Sequence, residues 1–445
     1  MPSQVNYPDI NVVDDRRLCT ECGACYGVCP KSNIAVSEDP NGILQFRVKD
    51  PSRCGRCALC IRVCPGMQVD FDQLNRDIFG SDNQIQNAQK DIGVYKRLFL
   101  GHALDDTIRR NGASGGVATA LLAKALEDKL IDGVFVVRLN SGNEGYPLSA
   151  KLSFATNANQ LFEGQQSKYT SVPMAKCLQD ILYHGANQRY GFVGLGCHMQ
   201  ALRKAERLMP ELKKRIRLRV GLVCGHCMDW RGTRHLLDLL DVKEADLQKI
   251  EYRSDRWPGN FKATLKDGTV RRIGQIDWTS YVMTLYEKHR CHFCTDPLNQ
   301  FADIAVGDPW LNELSREPGL NLIISRTGIG DRFLSQAIGD NQLAVTETRL
   351  DKIVKSQRRS LYRKRCVIRA YIRMARIAGQ ATPEYIGQFD ANPLTWREYR
   401  EAIVLAVFRT LAAQPIFRRP LVLSGRQFIR YMRKRRVATG RMVLK

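Results

Sequence analysis

The segment CTECGACYGVCP places Cys19, Cys22, Cys25 and Cys29 in the spacing C-x2-C-x2-C-x3-C-P, and CGRCALCIRVCP repeats it with Cys54, Cys57, Cys60 and Cys64. Three thiolates two residues apart wrap a tight loop around one face of a cubane and leave backbone N–H groups free to point at its sulfurs. The fourth sits too far along to close the same cube, so it ligates the other cluster, and the proline turns the chain away. By that rule one cluster takes Cys19, Cys22, Cys25 and Cys64, and the other takes Cys54, Cys57, Cys60 and Cys29. A pair of zinc knuckles needs four ligands per ion in separate sets, which this interleaving does not provide. Small residues at Gly23, Ala24, Gly55 and Ala58 let the loops close.

This is the pattern of the bacterial two-4Fe-4S ferredoxin module, and such clusters move one electron at a time without substrate chemistry of their own. A chain of 445 residues has room for more than one further domain. The reading divides it into a ferredoxin domain over 1–75, a polar linker over 76–95, an α/β core over 96–345 and a mainly helical basic region over 346–445. The start, MPSQVNYPDINVVDD, has no basic-then-apolar signal, and no apolar run reaches the length of a membrane span. A cytosolic protein is expected. There thiols stay reduced, so fifteen cysteines point to metal rather than disulfides.

In the core, NGASGGVATALLAKALEDKLIDGVFVV carries Val117, Leu121, Leu122, Ala125 and Leu126 at helical spacing, then a strand-like run from Gly133 to Val137. The helix opens on a glycine-rich turn, which offers free N–H groups and the positive end of a dipole to a phosphate; a plain capping turn reads the same way. RYGFVGLGCHMQALRKAERL repeats the arrangement, with a strand from Tyr190 to Val193, a turn carrying Cys197 and an amphipathic helix. RLRVGLVCGHC is a strand ending on Cys224 and Cys227, and FADIAVGD and LNLIISRTG are further buried strands. Alternating strands and helices imply an α/β domain with a mostly parallel sheet, whose ligands collect at the carboxyl ends of the strands.

Those ends hold Cys197, Cys224 and Cys227. The C-x-x-C of KHRCHFCTDP, Cys291 and Cys294, has Cys197 and either Cys224 or Cys227 as partners, with Cys224 preferred because it ends its strand directly. Structural zinc suits four such thiolates. A third 4Fe-4S cluster is the preferred reading in a chain that begins as an electron wire. Cys177 and Cys366 stand alone and read as ordinary thiols, and Asp303 and Asp308 as structural residues at strand ends. No Ser-His-Asp, paired-carboxylate or P-loop pattern suggests another chemistry.

Together, ASGGVATALLAKALEDKLIDGVFVV, QSKYTSV, YGFVGLGCHMQALR, VGLVCGHC and RCHFCTDPLNQFADIAVGDPW resemble the family of coenzyme F420 hydrogenase and dehydrogenase beta subunits over about Arg97 to Arg326. The resemblance implies an FAD-containing oxidoreductase with a 4Fe-4S cluster close to the flavin, acting on a small molecule or a deazaflavin. By motif it places flavin contacts at Ser114, Gly115 and Gly116, with Ser167, Lys168 and Tyr169 nearby. Where the family reads G-x-P-C-Q, this chain has Gly194-Leu195-Gly196-Cys197-His198, so the ligand is kept and its neighbours are not. His198 is either a helix cap or a group that tunes the cluster. The rival reading is a non-catalytic electron-transfer component of a larger redox complex.

The net charge of +23 is uneven: Asp351 to Lys445 holds 23 Lys/Arg against 5 Asp/Glu. Docking of ferredoxin or another acidic redox protein is the first reading of this tail. Peripheral contact with the inner face of a membrane is the second. Nucleic acid lacks any recognised motif.

Overall fold

A computed structural model describes residues 9–439 apart from 56, 81–87, 90–91, 186, 256, 315–317 and 390–392. Part of the expected linker lies outside these residues. Its start is a helix, Phe71–Phe79, capped by Asp70 and anchored through buried Phe71 and Leu74.

The core is an eight-stranded sheet whose strands, in chain order, are β1 (Arg97–Ala103), β2 (Gly133–Leu139), β3 (Ala150–Ala155), β4 (Tyr190–Gly194), β5 (Ile216–Leu222), β6 (Ile304–Gly307), β7 (Asn321–Ser325) and β8 (Leu343–Glu347). The spatial order is β8-β1-β7-β6-β5-β4-β2-β3. Only the centre is parallel: β6 with β5, β5 with β4, and β4 with β2. The outer pairs, β2–β3, β6–β7, β7–β1 and β8–β1, are antiparallel. The mostly parallel sheet expected from the sequence is therefore corrected to a mixed one. The reason lies in the connections: among the described residues the links from β2 to β3 and from β6 to β7 hold no helix longer than the 3-10 turn Asn312–Leu314, and without a crossover helix a strand returns antiparallel.

Both faces of the sheet are buried. On one, helix α1 (Val117–Glu127) sets Val117, Leu121 and Ala125 against Val134, Val220 and Ile304. On the other, helix α2 (Gly196–Leu208) sets Met199 and Leu202 against Phe192 and Tyr190. Burial on both faces explains why β4, β6 and β7 read as apolar runs without alternation. A three-stranded antiparallel sheet, Leu247–Ser254, Asn260–Leu265 and Val270–Gly274, is inserted between β5 and β6.

The N-terminal module has a hairpin, Ile34–Glu38 with Leu44–Val48, and it is not free-standing. Its strand Gln68–Asp70 pairs in parallel with Glu384–Ile386 from the far end of the chain. Ile10, Leu18 and Phe46 share one apolar cluster with Phe293, Ile368 and Ile372. After the core the chain is helical: α3 (Leu350–Tyr362), a π-helical turn Arg363–Val367, a helix Ile368–Ile377, then α4 (Trp396–Ala413) and α5 (Arg418–Thr439). No helix among the described residues is long and apolar enough to cross a membrane.

Candidate functional site

The N-terminal cysteines stand near one another on their two loops. Cys25 is surrounded by Cys19, Cys22 and Cys64, and burial together with these thiols pushes its own thiol well up. Cys60 faces Cys57 and Cys54, and Cys29 and Cys57 lie beside Tyr183. Backbone N–H groups reach three of the sulfurs, from Glu21 to Cys19 at 3.3 Å, Asn33 to Cys29 at 3.4 Å and Gly66 to Cys64 at 3.3 Å. Such bonds set the potential of a bound cluster. Gly23 is left-handed at φ 83°, and a Cβ there would stand 2.9 Å from Lys176 N. Only glycine turns this loop while the module presses against the core. Cys57 is exposed whereas Cys22 and Cys25 are buried, so one set sits outward and the other inward.

The core cysteines arrive from three elements. Cys197 lies in the first turn of α2, Cys224 and Cys227 follow β5, and Cys291 and Cys294 sit on and just after the short 3-10 helix His289–Phe293. Cys197 has Cys22, Cys294, Cys224 and Cys291 around it. Cys22 of the inward N-terminal set and Cys197 of the core set are therefore electrostatic neighbours. Cys227 turns away: its thiol donates to the Thr170 carbonyl at 3.1 Å. Among the described residues no three His, Cys, Asp or Glu side chains stand where they would hold a single metal ion. The thiols are grouped but not closed on one point.

All of these core cysteines line one cavity of about 1510 Å³, which also takes in Cys19 and the carboxyl ends of β4, β5 and β6. That exceeds the usual 300–1,000 Å³ of a ligand pocket and leaves room for more than one group. Ser114, Gly116, Ser167, Lys168 and Tyr169 line it as well.

The glycine-rich turn is built as a cradle. A Cβ on Gly115 would stand 2.8 Å from Gly101 O and from Asn321 Oδ1, and Gly116 is left-handed at φ 78°. Asn321 Oδ1 accepts from Val117 N at 3.1 Å, and the Ser114 hydroxyl donates to the Leu320 carbonyl. The α1 N-cap residue, Gly116, makes no side-chain cap bond of its own, and Ala118 and Thr119 beside it face the cavity. Gln165 Oε1, Gln275 Oε1 and Thr20 Oγ1, on residues lining the same space, are buried without a hydrogen-bond partner. Unsatisfied polar atoms around an apolar cavity, beside a helix start whose first N–H is held by Asn321, fit a dinucleotide such as FAD. Lys168 is committed elsewhere: its ammonium donates to the carbonyls of Gly164 at 2.6 Å and Gln166 at 3.2 Å, and burial, with Lys249 nearby, lowers it to about 7.

Three features have no local signal in the sequence. Lys288 is buried and bridges Glu21 at 2.9 Å and Ser171 at 3.0 Å, tying the N-terminal cluster loop to the core loop. Glu287 is buried and held by Arg363 and Arg409. Burial alone would raise its carboxyl, but the two guanidinium groups and neighbouring histidines hold it well below the usual range. Lys364, on the π-helical turn, is buried and lines the cavity with Cys291 and Cys294; burial pushes its ammonium down, but Cys294, Cys291 and Glu287 outweigh it and hold the group above its ordinary value. By contrast, His198 behaves as a cap: Nδ1 accepts from Leu195 N at 3.1 Å, and burial, then Lys288, lowers the ring to about 4.

Asp303 and Asp308 are structural. Asp303 is buried against Arg203 and Arg219, and Asp308 binds Arg253 and Trp257 Nε1. Cys177 is buried in the core beneath α2.

Two profiles of one family cover this core. The N-terminal part of the coenzyme F420 hydrogenase/dehydrogenase beta subunit matches residues 98–179, and its C-terminal part matches residues 187–350. The chain belongs to that family. A 4Fe-4S dicluster domain matches residues 18–66. Among its relatives, the chain is 24% identical to the beta subunit of coenzyme F420 hydrogenase from Methanosarcina barkeri, over 56% of this chain and 81% of the relative. It is 26% identical to the beta subunit of coenzyme F420 hydrogenase from Methanococcus voltae, over 58% of this chain and 85% of that one. It is also 24% identical to the chloroplastic 7-hydroxymethyl chlorophyll a reductase of rice, over 48% of this chain and 43% of that one. A chain of the F420-reducing nickel-iron hydrogenase complex from Methanosarcina barkeri shares the fold, with a TM-score of 0.50 and 22% identity over 62% of this chain and 92% of that one. The family match ends at residue 350, and beyond it α3 and α4 contribute further residues to the cavity wall.

Proposed function

We propose that the chain is an iron–sulfur flavoprotein oxidoreductase that passes electrons between its N-terminal clusters and a flavin site to reduce or oxidise a small molecule or the deazaflavin coenzyme F420. The observation that carries this reading is that Cys19, from the N-terminal module, lines the same cavity as the core cysteines. It joins the ferredoxin module to a cavity that holds both the core thiols and the glycine cradle. The core set in this reading is Cys197, Cys224, Cys291 and Cys294. Clusters supply single electrons, and FAD converts them to the two-electron transfer that a closed-shell substrate needs.

The chain's own residues supply placement. Lys288 and Glu21 fix the two cluster loops against each other, and Lys364 offsets negative charge on the core thiolates. Gly115 and Gly116 let the turn pack tightly on Gly101, Asn321 and Ile108, which sets Ser114 and the start of α1 on the cavity where a diphosphate would lie. Anaerobically purified protein is expected to hold about twelve irons in three clusters and one FAD. About eight irons with one zinc would remove the third cluster and leave the core cysteines a structural site.

The second reading, an electron relay without a substrate of its own, is favoured by the exposed Cys57 set and by the complex to which the fold is similar. Isolated holoprotein, reduced with dithionite and mixed with F420, separates the two. Turnover by the chain alone supports the enzyme. Reduced centres that stay reduced until a second redox protein is added support the relay.

A further inference from the structure

The basic C-terminal helices carry an exposed apolar surface that charge steering does not require. On α4, Trp396, Arg400, Ile403 and Val407 follow one another at i, i+4, i+7 and i+11, which places them on one face. Trp396 is 71% exposed and Val407 51%. The opposite face is seated, with Ala402 and Ala412 buried and Arg409 held by Glu287. A 3-10 turn, Pro415–Phe417, leads into α5 and leaves Ile416 79% exposed. The inner face of α5 packs through Gly425 and Ile429 and through Phe428 stacked on Tyr281. Its outer face presents Leu423, 60% exposed, among exposed Arg419, Arg430 and Lys434.

Between Trp396 and Lys445 there are 13 Lys/Arg and only 2 Asp/Glu. Both acids are engaged, Glu398 by Thr395 and Glu401 by Arg397. Large side chains at such exposure, including tryptophan, next to unpaired cations are the composition of a helix face that lies in a lipid headgroup layer. An acidic protein partner calls for the charge but not for the apolar stripe.

We propose that the outer face of α4, the 416 turn and α5 dock onto an anionic lipid surface, lying on it rather than crossing it. The cations pair with lipid phosphates, and Trp396, Ile416 and Leu423 enter the acyl boundary. Arg397, Arg400 and Val404 also line the cavity, so docking brings the rim of that cavity to the lipid. The inference does not depend on which redox reaction the cavity performs.

The test is co-flotation of the full holoprotein with phosphatidylcholine vesicles, with and without phosphatidylglycerol. The chain should float with the anionic vesicles and stay behind with the neutral ones. Trp396→Ser/Ile416→Ser/Leu423→Ser should lower the partition coefficient about tenfold or more, and Arg419→Gln/Arg430→Gln/Lys434→Gln should do the same. Both should keep the cluster spectrum and far-ultraviolet circular dichroism of the parent. A second measurement covers the case in which the triple variants misfold: brominated anionic lipid should quench part of the tryptophan emission, and Trp396→Phe should abolish that part while still floating. The proposal is overturned if the parent chain does not float, or if the apolar triple floats as the parent does. It is also overturned if Trp396→Phe leaves the quenching unchanged, or if the parent binds immobilised acidic ferredoxin but not vesicles.

Discussion

Cys291→Ser protein should retain about eight of about twelve irons, the loss of one four-iron cluster, with the low-temperature EPR signals of the N-terminal module intact and flavin reduction by dithionite slowed. Cys291 is one of four thiols around a common space, with Cys197, Cys224 and Cys294, and serine's hydroxyl is a poor replacement for a thiolate. Cys227→Ser is the control. That thiol donates to the Thr170 carbonyl at 3.1 Å, and a hydroxyl makes the same bond, so iron should stay at about twelve. The two variants thus give opposite results. If Cys227→Ser loses iron and Cys224→Ser does not, the fourth ligand is Cys227 and the loop after β5 must turn over when the cluster assembles.

What could be read from the sequence, and what could not, divides by range. The 4Fe-4S dicluster module over residues 18–66 is legible because the spacing of a cubane loop is local. The helix from Val117 and the strand from Tyr190 follow from periodicity and a glycine turn, which are local too. Sheet direction is not local. Ile304–Gly307 and Asn321–Ser325 are equally apolar, and nothing within either run tells a parallel from an antiparallel neighbour. The buried pairs at the site are more distant still. Glu21 meets Lys288, and Glu287 meets Arg363 and Arg409, across separations that leave no periodic trace. Composition also misled in one respect. A region with an excess of Lys/Arg reads as solvated surface, yet Lys364 is buried beside the core thiols and Arg409 is nearly so. Part of the excess charge is built into the interior of the site, while the outer faces of α4 and α5 carry exposed cations.

Asp303→Asn should be among the most destabilising single changes in the core, by about 3–5 kcal/mol. Asp303 belongs to a buried network in which Arg203 also meets Glu206 at 2.9 Å and Arg219 meets Glu206 at 2.6 Å. Its carboxylate accepts from Arg203 at 3.1 Å, from the Arg219 backbone at 2.9 Å and from Thr327 at 2.8 Å. Two arginines are balanced by two acids, and the amide would leave one buried cation uncompensated. Burial pushes the Asp303 carboxyl up, but Arg219 and Arg203 outweigh it and hold the group below its ordinary value of 3.8. A carboxylate whose folded value is depressed contributes stability above its unfolded value and loses it as pH falls through the lower folded value. Thermal midpoints of the parent should therefore drop as pH falls below about 4, and Asp303→Asn, already lower at neutral pH, should lose less over that interval. Were Asp303 a general acid of the cavity instead, the amide would depress turnover and leave the unfolding midpoint in place. An unchanged midpoint at neutral pH would refute the structural assignment.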